Sequence, residues 1–385
     1  MSTHHPDRRR LLLGGLSLPV LTACGGGGGS AAPSPAPAAP APPPPLADVP
    51  ALKTHFAAHF KFGMAADPSG YRNAIANPVI LRHANSITAE NCFKPASLGT
   101  SPGVYNWATA DELVAFAAAN GMVVRGHTLC WHSQTPDWFF TGTAAEVRAK
   151  LETYVRDVVT RFKGKVACWD VVNECTSDDA SSAYRNSRWL QILGPAYIEH
   201  ALRAARAADP DAKLFINDYG TEDPAKLARL MTIVTDVQAR GAPLDGVGHQ
   251  LHVNTASPTP ANVDNALRSV ANKGLVNHVT ELDVSLYSDP GSCFAPSRTG
   301  CAADITGDPT LLAAALKAQA LQYRALFNVF KQHASLQSVT TWGIADNSTW
   351  LSGFPIARGN RPLLFDTAGA PKPAARAITD DGYAP

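Results

Sequence analysis

The side chains best suited to chemistry cluster at the ends of short apolar segments. In chain order these ends read Glu90-Asn91-Cys92-Phe93-Lys94, Gly126-His127-Thr128-Leu129-Cys130-Trp131-His132, Trp169-Asp170-Val171-Val172-Asn173-Glu174, Asn217-Asp218-Tyr219, His249-Gln250-Leu251-His252 and Val279-Thr280-Glu281-Leu282-Asp283, with Trp342, Asp346 and Trp350 last. Each has an ordinary structural explanation when taken alone. A lone histidine is commonly a hydrogen-bonded core residue, a strand-end aspartate a helix cap, a tryptophan part of the core. Separate accidents at so many segment ends are a poor explanation, because burying unpaired polar groups costs about 1–3 kcal/mol each. One site must gather them. The histidines lack HExxH or Cys/His zinc spacing, and there is no GxSxG nucleophile elbow. No metal and no cofactor are implied. The remaining carboxylates, amides, imidazoles and indoles suit glycoside hydrolysis, in which two carboxyl groups flank the scissile bond and aromatic rings stack on sugars.

The elements that must position these groups alternate along the chain. Segments 60–64, 86–90, 123–128, 166–174, 213–218, 246–253, 278–284 and 338–342 read as strands, rich in β-branched and aromatic residues. Helices are expected at 111–120, 144–162, 195–208, 224–239, 260–272 and 309–332. The second of these carries Val147, Leu151, Tyr154, Val155 and Val158 at a period near 3.6. Asp111 reads as a capping residue for the first. Prolines 195, 224, 260 and 309 stand where a first helical turn tolerates them. Strand–helix alternation implies a parallel sheet with covering helices, and eight repeats predict an α/β fold, a single (β/α)8 barrel over residues 46–385. An open doubly wound sheet is the rival, but no GxGxxG or GxxxxGK[ST] loop follows any strand. In a barrel every polar end above lies on the C-terminal face, where barrel enzymes keep their active sites.

Residues 1–45 stand apart. Arg8, Arg9 and Arg10 precede an apolar stretch from Leu11 to Leu21. That stretch is shorter than the ~20 residues of a membrane span and fits a signal peptide of twin-arginine type over 1–23. It ends in Leu21-Thr22-Ala23-Cys24, which resembles a bacterial lipobox and implies lipidation of Cys24. The alternative is an ordinary secretory signal cleaved nearby. Residues 24–45 are Gly-, Ala- and Pro-rich and read as a tether without a core. The expected location is therefore outside the cytoplasm: a membrane-anchored lipoprotein, periplasmic or at the cell surface, or else secreted.

The 33 basic and 32 acidic side chains balance to a formal charge of +1. That lacks the basic footprint of a nucleic-acid partner and suits a neutral polysaccharide, as it would most small molecules; a monomer is expected, with membrane contact only through the lipid. Six cysteines remain besides Cys24. Cys293 and Cys301 are eight apart in a Ser/Pro/Gly-rich stretch and can bridge. Cys92 and Cys130 follow adjacent strands and form a second candidate pair. Cys168 and Cys175 span a strand of about 23 Å at ~3.3 Å per residue and cannot bridge.

Residues 50–380 resemble glycoside hydrolase family 10, the endo-β-1,4-xylanases. The resemblance is carried by Asn85-Ser86-Ile87-Thr88-Ala89-Glu90-Asn91, by Arg125-Gly126-His127-Thr128-Leu129 with Trp131-His132-Ser133-Gln134-Thr135-Pro136, by Trp169-Asp170-Val171-Val172-Asn173-Glu174, and by Thr280-Glu281-Leu282-Asp283. It implies xylan and xylooligosaccharides as substrates and a retaining mechanism, with Glu174 as acid/base and Glu281 as nucleophile. It also implies that His252 and Asp283 orient Glu281 and that Asn173 bonds the sugar 2-hydroxyl. Lys94, His127, Gln250 and Trp342 would surround the cleaved sugar, with Trp131 also binding substrate. Glu90 and Asn91 would meet the next sugar, and Trp350 would crowd the place of a glucose hydroxymethyl. The sequence departs from the family at Pro95, where a Trp usually follows the Lys. Retaining carboxylates sit ~5–5.5 Å apart, where two charges repel by about 3 kcal/mol at a dielectric near 20, so one must hold a proton while the other is charged. The nearest alternative activity is another retaining β-1,4-glycanase, such as a cellulase; a tethered glycan-binding protein without chemistry is the alternative from another class.

Overall fold

The computed structural model describes residues 49–385. The export segment, Cys24 and the tether lie outside the described residues.

Eight parallel strands form the central wall: β1 (Lys61–Ala65), β2 (Ser86–Thr88), β3 (Val123–Trp131), β4 (Cys168–Asn173), β5 (Lys213–Asp218), β6 (Gly246–His249, resuming at His252–Asn254), β7 (Val276–Ser285) and β8 (Leu336–Thr341). Each pairs with the next in sequence, and Lys61 of β1 stands beside Ser338 of β8, so the sheet closes on itself. The fold is a (β/α)8 barrel, as the alternation predicts. The strands are buried on both faces because helices cover the outside; all six residues of β4 are buried.

The covering helices are α1 (Ala76–His83), α2 (Ala108–Ala119), α3 (Ala144–Arg161), α4 (Ala196–Ala208), α5 (Pro224–Ala239), α6 (Pro260–Ala271), α7 (Pro309–Phe330) and α8 (Pro373–Thr379). Thr143 and Glu146 form a reciprocal capping box at α3, whose predicted stripe is buried. Asp223, Thr259 and Asp308 cap α5, α6 and α7, each followed by a proline in the first turn. Pro195 itself occupies the cap position of α4. Asp111 is not a cap: Trp107 takes that place, and Asp111 pairs with Arg161 of α3. The sequence reading missed α1 and α8. Both are about two turns long, too short to stand without tertiary packing; α1 buries Ala76, Val79, Ile80 and His83 against the barrel.

The six described cysteines form one bridge. Cys293 and Cys301 are joined, with Cα atoms 5.0 Å apart. Cys92 and Cys130 do not pair; both are free and buried. β2 stops at Thr88, and Cys92 turns away beneath Asp67, whose Oδ1 accepts its backbone N–H at 3.0 Å. Cys130 stays inside β3, opposite Val172 of β4. Cys168 and Cys175 are not bridged to each other, as expected, and both are free and buried.

Candidate active site

The C-terminal ends of the strands open into a cleft of about 850 Å³. All the residues given a catalytic or substrate-binding role line it: Glu90, Asn91, Lys94, His127, Trp131, Asn173, Glu174, Gln250, His252, Glu281, Asp283, Trp342 and Trp350; the other polar strand ends read into the same site, among them His132, Asp170, Asn217, Asp218, His249 and Asp346, do not. Period-two alternation puts Glu281 and Asp283 on the same face of β7. Glu174 follows β4 with φ +57°, and Leu251 interrupts β6 with the same angle. A left-handed backbone at such residues costs energy and is characteristic of functional sites. At Leu251 the break separates His249, which is buried between Thr221 and Asn277, from His252, which faces the cleft.

Glu281 sits in a dense set of donors. His252 Nε2 lies 3.1 Å from its Oε2, and His252 Nδ1 lies 2.8 Å from Asp283 Oδ2. Asn217 Nδ2 donates to Glu281 Oε1 at 2.8 Å. His127, anchored 3.0 Å from Asp170 and so to the buried Arg125–Asp170 pair, stands 3.9 Å from the same oxygen. Burial alone would raise the Glu281 carboxyl, but the bonds from His252 and Asn217, with the nearby imidazoles, leave it below the ordinary carboxylate range. Burial would likewise lower His252, yet Asp283 and Glu281 more than reverse this and hold it at about 10. Through the neutral range the imidazole is a cation between two carboxylates.

Glu174 is held differently. Trp131 Nε1 donates to its Oε2 at 2.8 Å and Gln250 Nε2 to its Oε1 at 3.2 Å. The neighbouring His132 is driven by burial to about 4 and is neutral at pH 7. The two glutamates are joined by one chain of amides: Asn217 Nδ2 also donates to Asn173 Oδ1 at 2.8 Å, and Gln250 Nε2 reaches the same oxygen at 3.4 Å. That leaves Asn173 Nδ2 buried without a partner, a costly state that proteins retain chiefly where function uses it. Across the cleft, Lys94 Nζ donates to Asn91 Oδ1 at 2.9 Å, and Asp67 holds Asn91 through both backbone and side chain. Burial raises Glu90, and Asp67 adds to the effect.

The sequence model of Glycosyl hydrolase family 10 matches residues 51–381. The chain belongs to this family. The family 10 chain is 39% identical to a thermostable celloxylanase of Thermoclostridium stercorarium, over 86% of this chain and 88% of that protein. It is 37% identical to a beta-1,4-xylanase of Dictyoglomus thermophilum, over 85% and 90%. Some relatives are much longer: the chain spans 32% of endo-1,4-beta-xylanase C of Paenibacillus barcinonensis, at 38% identity. The crystal structure of xylanase B from Clostridium stercorarium F9 superposes with TM-score 0.79 at 39% identity, covering 86% of this chain and all of that one (100%).

Several residues of this glycoside hydrolase's site had no role in the sequence reading. Asn217 was seen as a polar strand end but not as the bridge between Asn173 and Glu281. Asp67, which orders Asn91, gave no signal because it follows β1 without a motif. Gly248 permits the arrangement: a Cβ there would stand 2.2 Å from Asn217 Oδ1. Trp131, expected against sugar, both lines the cleft and bonds Glu174.

Proposed function

We propose that this family 10 enzyme is an endo-1,4-β-xylanase that cleaves with retention, Glu281 acting as nucleophile and Glu174 as acid/base. The observation that carries the reading is the unequal treatment of two carboxyl groups facing one cleft. Glu281 is kept ionised by the His252 cation and Asn217, whereas Glu174 has only neutral donors, Trp131 and Gln250. The xylan-related names of the relatives support the substrate class.

In the first step Glu174 gives its proton to the glycosidic oxygen, the C1–O bond breaks, and a Glu281 carboxylate oxygen bonds to C1. In the second, Glu174 takes a proton from water, the hydroxide attacks C1, and Glu281 leaves as carboxylate. The unpaired Nδ2 of Asn173 is the donor for the 2-hydroxyl, a bond that strengthens toward the transition state. Lys94, His127, Gln250 and Trp342 surround the reacting xylose, while Glu90 and Asn91 hold the next one. Trp350 fills the space a C5 hydroxymethyl needs. Pro95, in place of an indole, opens a short helix (Pro95–Leu98).

Proton NMR of early products from a xylooligosaccharide tests the mechanism. The β-anomer should appear first; an α-anomer appearing first means inversion and removes Glu281 as nucleophile. A reducing-sugar assay should show xylan turned over far faster than carboxymethylcellulose.

A further inference from the structure

Trp350 is held from two sides. Its Nε1 donates to Asp283 Oδ2 at 2.9 Å, the oxygen that also meets His252. Its ring stacks on Phe354, with centroids 5.0 Å apart and planes 23° apart. The indole position is therefore set by its hydrogen bond to Asp283 of the nucleophile's relay and by the ring of Phe354, which lines the same cleft.

Phe354 is in turn fixed by a neighbouring loop. The guanidinium of Arg298 lies 5.0 Å from its ring centroid, and Phe294 packs against it at 5.9 Å. Arg298 donates to the carbonyls of Cys293 and Phe294 at 3.3 and 3.2 Å, inside the loop closed by the Cys293–Cys301 disulfide. The segment leading into that loop is tied to the one carrying Phe354. Asp289 forms a buried pair with Arg358, and the Tyr287 hydroxyl donates to the Gly359 carbonyl at 2.6 Å. The disulfide reduces the number of backbone states open to that loop.

We infer that Phe354, clamped by Arg298 of the disulfide-closed loop, is a positioning residue that sets the plane of Trp350 and so enforces xylose over glucose in the cleft. This rests on the proposed role of Trp350. Phe294 at the cleft rim is 49% exposed and packs on Phe354 with the ring planes tilted by 48°. A stack of this kind is worth enough to shift a ratio of rates about 2- to 10-fold when removed.

The test compares kcat/KM for an aryl β-cellobioside and an aryl β-xylobioside in the full chain. Phe354→Ala should raise the cellobioside-to-xylobioside ratio about 2- to 10-fold, in the direction of Trp350→Ala. Phe354→Tyr, which keeps the ring, should hold the wild-type ratio. Cys301→Ser should move the ratio the same way by less, as should Phe354→Leu, which keeps bulk and covers the case in which the alanine variant does not fold. If Trp350→Ala raises the ratio and neither Phe354→Ala nor Phe354→Leu does, the positioning role is overturned while the Trp350 reading stands. If Trp350→Ala itself leaves the ratio unchanged, the reading beneath it fails and the inference falls with it.

Discussion

Asn217 donates through Nδ2 to Glu281 Oε1 across 2.8 Å, while its Oδ1 accepts from the Thr280 hydroxyl at 2.7 Å. The amide is thereby fixed in orientation with its N–H toward the carboxylate. A hydrogen bond to a charged group is worth about 1.5–3 kcal/mol. Asn217→Ala should therefore lower kcat/KM on xylooligosaccharides by about 10- to 100-fold. Gly248→Ala should act in the same direction without touching substrate, because its new Cβ meets Asn217 Oδ1. Steady-state kinetics on the two variants, with thermal melts to check folding, decides this; wild-type kinetics in a folded Asn217→Ala removes the amide from the mechanism.

The two glutamates should separate by substrate. Glu281→Gln should be inactive on every substrate, because no glycosyl-enzyme forms. Glu174→Ala should lose activity on xylan yet still react with aryl xylobiosides whose leaving groups need little protonation. Added azide should then release a β-glycosyl azide. Equal losses on both substrate types in Glu174→Ala would rule out its role as the proton donor.

The pH dependence follows from the relay. Glu281 is depressed, so its charge survives acidification below the ordinary value of 4.5 and its stabilising contacts are lost as pH falls further. His252 is raised from 6.5 to about 10, so its contribution is full below 6.5 and fades as pH rises through about 10. His252→Asn removes the cation beside Glu281. The acidic limb of the kcat/KM profile should move to higher pH. A limb that stays in place would show that His252 does not hold the charge on Glu281.

Anchoring is testable on its own. With Cys24 carrying lipid, the wild-type chain should sediment with membranes and Cys24→Ser should appear in the soluble fraction. Stable attachment needs two acyl-type signals, so partial lipidation would give a mixed distribution. Identical partition of both chains removes the lipoprotein reading.

The sequence alone determined the barrel, its order of strands and the pool of reacting groups. Parallel strands buried on both faces must be apolar until they reach one end, so polar residues at strand after strand mark a single face. Pro224, Pro260 and Pro309 marked helix starts, because a first turn tolerates proline. What only tertiary structure decided was which atoms meet. His249 and His252 are the same residue type three positions apart, yet the left-handed turn at Leu251 sends one into the barrel wall and the other to Glu281. Cys92 follows β2 whereas Cys130 lies within the neighbouring β3, and the two are in different surroundings once β2 ends early. Asn217 becomes a bridge only because Gly248 on the adjacent strand leaves room for its amide. Each of these depends on where a side chain points after the barrel closes, and closure is a property of pairings between residues far apart in the chain.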